Sequence, residues 1–552
     1  MAPSLFAGMG ADDWLHRLHL DPNAPVRPHS QYGTLLGAFE FFPSDRAEFQ
    51  KLRDEGVLPW WVGAEVSGVF FRPLTVVTQW IDWRLWGEQL WLHHLHSITW
   101  FFLTVLAAGR FFQLWLGEGR AAALATLLFA VNDSHAMPVG WLANRNGLLA
   151  LFFSILAATS HLRAVAGVPR AALWTGVWVA AALCSAEAGT AGLLLLLVLE
   201  FSVTRPPGER LRRWAPALLV AAAWAAAWKG LGFGIQGSAL YVDPVRETGR
   251  YLMLLPERLG ALSAAAWFNL PVDGWMTLTP ALSRGIGVGL LLVCAGLVVR
   301  LVRGSADPRV HTALGLAILP LLPPLSAFPM SRLVGAAQLG VAGLLGLLWC
   351  APSPGRLVRW LGHWHLVGAA ALLLVQSVAL RGLLWGTNEV AELVPDPPPG
   401  QEQHLILLQG FEIAVAYTGM IRRFQGRPHP ASVLMLGPLA TPLRITRLDD
   451  HRLSVEAPLG SFLLPGERLC RISPFHVGDV ARTRLATVTV TSVWPDGAPR
   501  VWVVDLPWDL EDDRLVWREA DGLGSVPWTP PAVGETVEVP APLSLPWAYS
   551  LP

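Results

Sequence analysis

The sequence predicts a mainly α-helical membrane domain followed by a small soluble domain that is rich in β-strands. Of the 552 residues, 53% are hydrophobic and only 15% are charged, and the mean hydropathy is +0.42. Soluble domains are much less apolar, so the composition indicates a chain that uses the bilayer as part of its solvent. After residue 384, long apolar runs give way to alternating apolar and polar residues, the pattern of half-buried strands.

Long apolar runs define the expected membrane spans. A helix needs about 20 apolar residues to cross the hydrocarbon core. Windows of suitable length lie at 96–116, 187–204, 214–233, 285–302, 311–328, 332–350 and 364–384. Shorter runs lie at 121–131, 147–160 and 171–184. Counting all of these windows, we expect about ten spans.

The arginines indicate the orientation of the chain. They collect in alternate connections, as at Arg110 with Arg120, Arg163 with Arg170, and Arg300 with Arg303. The positive-inside rule assigns these connections to the cytoplasm, and residues 1–90, 132–146 and the tail to the extracytoplasmic side. Because the basic residues are nearly all arginine and alanine, glycine and proline are abundant, we expect a bacterial gene and a bacterial inner membrane. No span precedes residues 1–90. Either a first helix upstream of Met1 is missing, which is the alternative we favour, or the amino-terminal loop crosses the membrane together with the following helix.

Four regions follow from these patterns. Residues 1–90 form a first extracytoplasmic loop with amphipathic helices, 91–386 the polytopic transmembrane domain, 387–400 a linker, and 401–552 an extracytoplasmic β-rich (α+β) domain. Strands are expected at 404–409, 433–436, 443–448, 452–456, 485–493, 500–505, 514–518 and 535–539, with a helix at 411–424.

Composition and motifs exclude several classes of function. The formal net charge is zero, so no basic surplus favours nucleic acid, and membrane lipids or glycolipids are the expected partners. The four cysteines are scattered without the spacing of a disulfide framework or a zinc site. We find no Walker loop, nucleophile elbow or HExxH motif.

Asp12 and Asp13 are the candidate catalytic residues. They precede a short amphipathic segment of the first outer loop. One aspartate could cap that helix. Alternatively, one could act as a general base for an acceptor hydroxyl or hold a divalent metal beside a lipid phosphate. Adjacent residues point in different directions, so we expect only one of them to do chemistry.

Polar residues around the outer ends of the first spans are candidates for substrate binding. Arg72 precedes the first long span and His94 lies at its outer end, where both could bind a lipid phosphate or could simply anchor the helix at the membrane interface. Asp133, His135 and Arg145 interrupt an apolar hairpin at its outer turn. Asp133 and Arg145 could simply pair to join the two helices. Alternatively, Asp133 or His135 could bind the acceptor and Arg145 a phosphate.

Two further outer turns carry candidates. Glu187 lies between two apolar runs with no cation near it in sequence, which favours a functional acid, although a helix N-cap at Ser185 is the competing interpretation. Arg332 opens the span that follows Phe328-Pro329-Met330. It could bind a phosphate or could be an interfacial arginine that reaches towards water.

The order of these short motifs resembles the GT-C class of membrane glycosyltransferases. The likeness covers roughly residues 10–350, and the branch it resembles most is the protein O-mannosyltransferase-like one with its uncharacterised bacterial relatives. The matching positions are Arg72-Pro73-Leu74, His94, Trp141 with Arg145 and Leu148-Leu149-Ala150, Ser185 with Glu187, and more loosely Asp12-Asp13 and Arg332. The chain departs from that branch at Asp133, Met137 and Ala186, and it has no tetratricopeptide tail.

This resemblance implies an inverting transfer of a sugar from a polyprenyl-phosphate carrier to an extracytoplasmic protein, lipid or polysaccharide. It implies an aspartate of the first outer loop near the reacting centre, a role that falls to Asp12 or Asp13. A divalent metal ion stays open as a cofactor, with no ligands assigned. The alternative is a non-catalytic membrane scaffold or a lipid-linked glycan transporter. Polar residues collected at one membrane face favour the enzyme, since a transporter needs them at the midplane.

Overall fold

The computed structural model describes residues 1–26, 29–203, 206–303, 305, 307–397, 400–410, 412–462, 464–468, 470–521 and 524–543. Pro398 and Pro399 of the predicted linker and residues 544–552 of the predicted tail domain lie outside these ranges. The elements are mostly helices as far as residue 393 and mostly strands after it.

The helices are α1 (Asp12–Leu20), α2 (Gly33–Gly37), α3 (Arg46–Asp54), α4 (Pro73–Trp86), α5 (Leu90–Leu116), α6 (Arg120–Ala130), α7 (Ala136–Gly140), α8 (Arg145–Val165), α9 (Ala171–Ser185), α10 (Thr190–Phe201), α11 (Pro207–Gly230), α12 (Thr248–Phe268), α13 (Pro280–Val302), α14 (Pro308–Ile318), α15 (Gln338–Trp349), α16 (Arg356–His363), α17 (Ala369–Leu393) and α18 (Glu412–Phe424). The predicted linker starts too early, because α17 continues through residues 387–393.

The strands are β1 (Glu40–Phe42), β2 (Ser67–Val69), β3 (Gly234–Gln236), β4 (His404–Gly410), β5 (Ser432–Pro438), β6 (Leu443–Arg447), β7 (Arg452–Glu456), β8 (Val480–Arg482), β9 (Thr487–Val493), β10 (Pro499–Asp505), β11 (Leu515–Asp521), β12 (Gly524–Pro527) and β13 (Thr536–Val539). They form three sheets, with the orders β1-β2-β3, β13-β6-β7-β10-β9-β8 and β12-β11-β4-β5.

The prediction of about ten long apolar spans is too high. In the described part of the chain, four helical stretches are long and apolar enough to cross a membrane: Leu90–Leu116, Leu142–Val165, Pro280–Val302 and Arg356–Glu389. These are the helices of an integral membrane protein. Other predicted windows hold shorter apolar helices, such as α6, α9 and α15. In the window 311–328, α14 ends at Ile318, and Pro320, Pro323 and Pro324 follow in 3₁₀ turns. Proline lacks the N–H that would continue the helix.

The helical part is held together by close pairs of helices. Helix α8 packs against α9 and α5, α12 packs against α13, and α15 packs against α6 and α14. Small residues permit the α12–α13 contact, because a Cβ built on Gly260 would lie 1.8 Å from the carbonyl oxygen of Gly287. Such close approach of backbones is typical of helices that associate in membranes.

The C-terminal region combines a mixed sheet with an antiparallel one. Strand β4 pairs in parallel with both β5 and β11, and the six-stranded sheet is antiparallel throughout, with Val503 opposite Ser454 in the β10–β7 pair. Alternate side chains of β7 and β10 are buried, namely those of Leu453, Val455, Trp502 and Val504. This alternation of buried positions is the pattern that predicted the strands.

The N-terminal segment connects the C-terminal region to the helical part. Trp61 packs against Phe462 at 5.3 Å between ring centroids, and Trp60 packs against Trp502 at 5.8 Å. Helix α18 in turn packs against α17 and α1. A cavity is lined by residues of all three parts of the chain.

Candidate active site

A cavity of 1110 Å³ lies where the N-terminal segment, the helical part and the C-terminal region meet. Its wall is mostly apolar and includes side chains of α1, β1, α17 and α18, and of the connections 235–241, 273–277 and 328–332. Asp12, Arg332, Tyr241 and Tyr417 line it together. The cavity therefore places a carboxylate, a guanidinium and two phenols in a largely apolar space.

The two adjacent aspartates point to different places. Helix α1 begins at Asp12, and its N-cap is Ala11, so neither aspartate is the predicted N-cap. Asp12 is half-buried and lines the cavity. Asp13 is only 3% exposed, and its carboxyl oxygens accept hydrogen bonds from the backbone N–H groups of Ala143 at 2.6 Å and Gly10 at 3.2 Å. Asp13 thus ties α1 to the hairpin, and Asp12 is the aspartate that faces the cavity.

The surroundings of Asp12 act on its pKa in opposite directions. Burial raises the pKa of the carboxyl group above its ordinary value, while the hydrogen bond from Tyr417 and the charges of Arg332 and Arg72 lower it. The tyrosine hydroxyl donates to Oδ1 of Asp12 at 2.7 Å. A carboxylate in this setting can accept a proton and still be ionised by its cationic neighbours.

Arg332 lies on the cavity wall, and the residues that the structure describes give it no ion-pair partner. Its guanidinium lies over the ring of Trp141 at 5.7 Å, and its Nε is buried without a hydrogen-bond partner. Within the described ranges, no salt bridge to Arg332 is present. The preceding residue is fixed by Asp273, which accepts hydrogen bonds from the hydroxyl group of Ser331 at 2.6 Å and from its backbone N–H at 3.2 Å. A fixed, unpaired guanidinium is suited to bind an anion.

Arg72 and Glu187 form an ion pair beside this cavity. The Nε of Arg72 donates to Oε2 of Glu187 at 3.1 Å, and the backbone N–H of Phe71 donates to Oε1 at 2.8 Å. The guanidinium of Arg72 also lies 4.4 Å from the ring centre of Phe70. Glu187 therefore has a cation that is distant in sequence, and the predicted N-cap at Ser185 is not formed, since Ala186 takes that position.

Arg145 does not form the ion pair with Asp133 that the sequence allowed. It is fully buried, and its ion-pair partner is Asp82, not Asp133. It also donates to Ser97 Oγ at 2.9 Å and to the carbonyl oxygen of His93 at 2.8 Å. All of these partners belong to the protein, so Arg145 takes part in the packing of the helices. It does not line the cavity.

His94, Asp133 and His135 are also buried away from the cavity wall. The ring of His94 contacts the carbonyl oxygen of Gly8 at 3.0 Å, and that of His135 contacts the carbonyl oxygen of Phe129 at 2.9 Å. Asp133 accepts a hydrogen bond from Gln376 at 3.1 Å, and burial raises its pKa to about 7. The structure therefore brings Asp12 and Arg332 together on one wall, places Arg72 and Glu187 behind them, and separates the other candidates.

Several residues of this arrangement carry no signal in the sequence. Tyr417 comes from a predicted amphipathic helix that lies 405 residues from Asp12. Asp82 was not singled out, although it lies close in sequence to the histidines of α5. Tyr241 and Asp273 lie in connections between helices and strands, where the sequence has no regular pattern of apolar residues. Only three-dimensional proximity identifies these side chains.

A divalent metal ion has no evident set of protein ligands. In the described part of the chain, no group of three or more histidine, cysteine, aspartate or glutamate side chains is placed to hold one. The acidic residues on the cavity wall near Arg332 are Asp12 and Asp273, and Asp273 is already bonded to Ser331. We therefore assign no step of the chemistry to a metal.

Comparison with known proteins gives a limited result. No protein-family model matches the chain, and no curated protein matches it. ArnT from Cupriavidus metallidurans bound to undecaprenyl phosphate aligns with a TM-score of 0.36 and 14% identity, over 70% of this chain and 84% of that one. The archaeal oligosaccharyltransferase AglB from Archaeoglobus fulgidus, in complex with an inhibitory peptide and a dolichol-phosphate, aligns with a TM-score of 0.37 and 13% identity, over 77% of this chain and 61% of that one.

Both solved proteins are GT-C glycosyltransferases, the class that the sequence resembles, and the O-mannosyltransferase-like branch is not confirmed. TM-scores below 0.5 are too low for these alignments to support a function. We therefore infer the function from the residues of this chain alone.

Proposed function

We propose that the protein is an inverting membrane glycosyltransferase that moves a sugar from a polyprenyl-phosphate donor to an extracytoplasmic acceptor. The observation that supports this most is that Asp12 and Arg332 face the same cavity. A general base and an anion-binding group on one wall of a large apolar space are what a lipid-phosphate sugar donor requires.

In the proposed reaction, an acceptor hydroxyl oxygen attacks the anomeric carbon of the sugar. Oδ2 of Asp12 takes the hydroxyl proton, and the bond between the anomeric carbon and the phosphate oxygen breaks. The polyprenyl phosphate leaves with the bonding electrons, and Arg332 stabilises the added negative charge. Attack opposite to the leaving group inverts the configuration at the anomeric carbon.

The cavity has an apolar wall against which the lipid part of such a donor can lie. Leu380, Leu383 and Leu384 of α17 line the cavity, and α17 belongs to one of the four stretches that could span a membrane. An isoprenoid chain lying against these side chains would be in contact with both the cavity and the bilayer. We assign the acceptor, whether protein, lipid or polysaccharide, to the extracytoplasmic side of a bacterial inner membrane.

The first test is whether Arg332 binds the phosphate of the donor. Undecaprenyl phosphate is titrated into the full chain in nanodiscs, and its affinity is compared between wild type and Arg332→Gln. Since a charge-assisted hydrogen bond is worth about 1.5–3 kcal/mol, the variant should bind about 10- to 100-fold more weakly.

The matched control is Arg427→Gln. Arg427 also lines the cavity, but it is paired with Glu392 at 2.8 Å and Asp396 at 3.3 Å, so its loss should change the affinity by less than about threefold. Equal affinities of Arg332→Gln and wild type would refute the phosphate site. Tight binding without any sugar transfer would favour the transporter or scaffold alternative.

A further inference from the structure

Helix α18 of the C-terminal region contributes a side chain directly to the proposed site. Tyr417 is 8% exposed, and its ring belongs to an apolar cluster with Trp14, Val76 and Ile421. Its hydroxyl is the group that donates to Oδ1 of Asp12. The ring is thus held by packing, and the hydroxyl has one defined acceptor.

The backbone around Asp12 is held by two side chains of helix α17. Thr387 Oγ1 accepts a hydrogen bond from the N–H of Ala11 at 3.1 Å, and Asn388 Oδ1 accepts one from the indole N–H of Trp14 at 2.9 Å. Ala11 has a φ of 49°, a conformation that alanine rarely adopts. Strained residues persist where the surroundings determine the geometry, and they cluster at functional sites.

The two oxygens of Asp12 are therefore not equivalent. Oδ1 accepts the hydrogen bond from the Tyr417 hydroxyl, whereas no hydrogen bond to Oδ2 is present among the residues that the structure describes. Because Asp12 lines the cavity, Oδ2 is the oxygen that is free to accept a proton or a hydrogen bond from a substrate.

We propose that Tyr417 is a positioning residue for Asp12, which holds Oδ1 so that Oδ2 faces the cavity, and that the C-terminal region is consequently part of the active site. This inference rests on the proposed transfer reaction, since it gives Asp12 the role of base. Burial and the charge of Asp12 raise the pKa of the Tyr417 hydroxyl well above its ordinary value, so it stays a donor throughout the working pH range.

The test replaces Tyr417 with phenylalanine, which removes the hydroxyl and keeps the ring. Turnover of undecaprenyl-phosphate hexoses by the full chain in nanodiscs should fall about 10- to 100-fold, the value of one hydrogen bond to a charged group. The hydroxyl stabilises the ionised form of Asp12, so its removal should also shift the acidic limb of the kcat/KM profile to higher pH.

A second measurement needs no substrate. Tyr417→Phe should destabilise the protein more at pH 8 than at pH 4.5, because the lost bond stabilises mainly the carboxylate. In an Asp12→Asn background this pH dependence should disappear. The other charged or titratable groups that act on Asp12 are unchanged in these variants; they are Asp13, Arg72, Tyr241 and Arg332.

The control for packing is Phe424→Leu. Phe424 belongs to α18, and its ring centroid lies 5.7 Å from that of Trp14. It should lower stability equally at both pH values and leave the acidic limb in place. If Tyr417→Phe behaves in the same way, the positioning role is refuted, even where Asp12→Asn is inactive and the proposed function stands. If Asp12→Asn turns over donor like wild type, the proposed function itself is refuted, while the pH dependence of stability still tests the hydrogen bond.

Discussion

Replacement of Arg145 separates its observed role in packing from the phosphate-binding role that the sequence also allowed. Arg145 is 0% exposed, and Asp82 is 1% exposed. In Arg145→Gln the carboxylate of Asp82 stays buried, with His96 Nδ1 at 2.6 Å as its nearest remaining partner. Removing one member of a buried ion pair costs about 3–5 kcal/mol, because the other charge is left uncompensated. We expect a loss of this size in the free energy of unfolding.

The assay is equilibrium unfolding in mixed detergent micelles, followed by tryptophan fluorescence. Arg110→Gln is the matched control, since the one hydrogen-bond partner of Arg110 in the described part of the chain is the exposed Gln113 at 3.2 Å, and its loss should change the free energy by less than about 0.5 kcal/mol. The double variant Asp82→Asn with Arg145→Gln should lose less than the sum of the two single variants, because it leaves no buried charge. A stability of Arg145→Gln within about 1 kcal/mol of wild type would refute this reasoning. Weaker binding of undecaprenyl phosphate at unchanged stability would restore the phosphate-binding role.

Two further predictions concern helix packing and pH. Gly260→Ala should destabilise the protein by about 1–3 kcal/mol, because the added Cβ would clash with the backbone of Gly287. The control is Gly289→Ala, on the same helix as Gly287. Its added Cβ has no atom within 4 Å, so this variant should be neutral or slightly stabilising. Equal unfolding free energies of the two variants would contradict the close helix contact. Burial raises the pKa of Asp13 from 3.8 to about 8, so its contribution to stability is complete below pH 4 and is lost as the pH rises to about 8. In Asp13→Asn that loss should be absent from unfolding curves measured across this range, and a pH dependence identical to that of wild type would count against the raised pKa.

The regular elements were the part of the molecule that sequence patterns predicted well. Strands β6, β7 and β10 lie within a residue of the expected 443–448, 452–456 and 500–505, because alternating burial leaves a direct mark in the sequence. The spans were overcounted, because apolar composition does not show where prolines end a helix such as α14. The three-stranded sheet was missed, since β1, β2 and β3 are too short to show alternation.

The site was predicted only in part, for reasons of geometry. Successive residues of a helix point about 100° apart, so the sequence could say that only one of Asp12 and Asp13 faces a substrate, but not which one. The choice of ion-pair partner is decided by tertiary packing. Arg145 lies 63 residues from Asp82, and Glu187 lies 115 residues from Arg72. No local pattern identifies such pairs.

The most direct test of the proposed base is donor turnover by Asp12→Asn beside Asp13→Asn. Release of undecaprenyl phosphate from undecaprenyl-phosphate hexoses is measured at pH 7 in nanodiscs, with a bacterial envelope extract as the source of acceptor. Loss of a general base should slow Asp12→Asn by about 10²- to 10⁴-fold. Asp13→Asn should keep most of its turnover, because a carboxyl group with a pKa of about 8 is mainly neutral at pH 7 and asparagine has nearly the same shape. Wild-type turnover by Asp12→Asn, or a loss confined to Asp13→Asn, would contradict the assignment of Asp12 as the base.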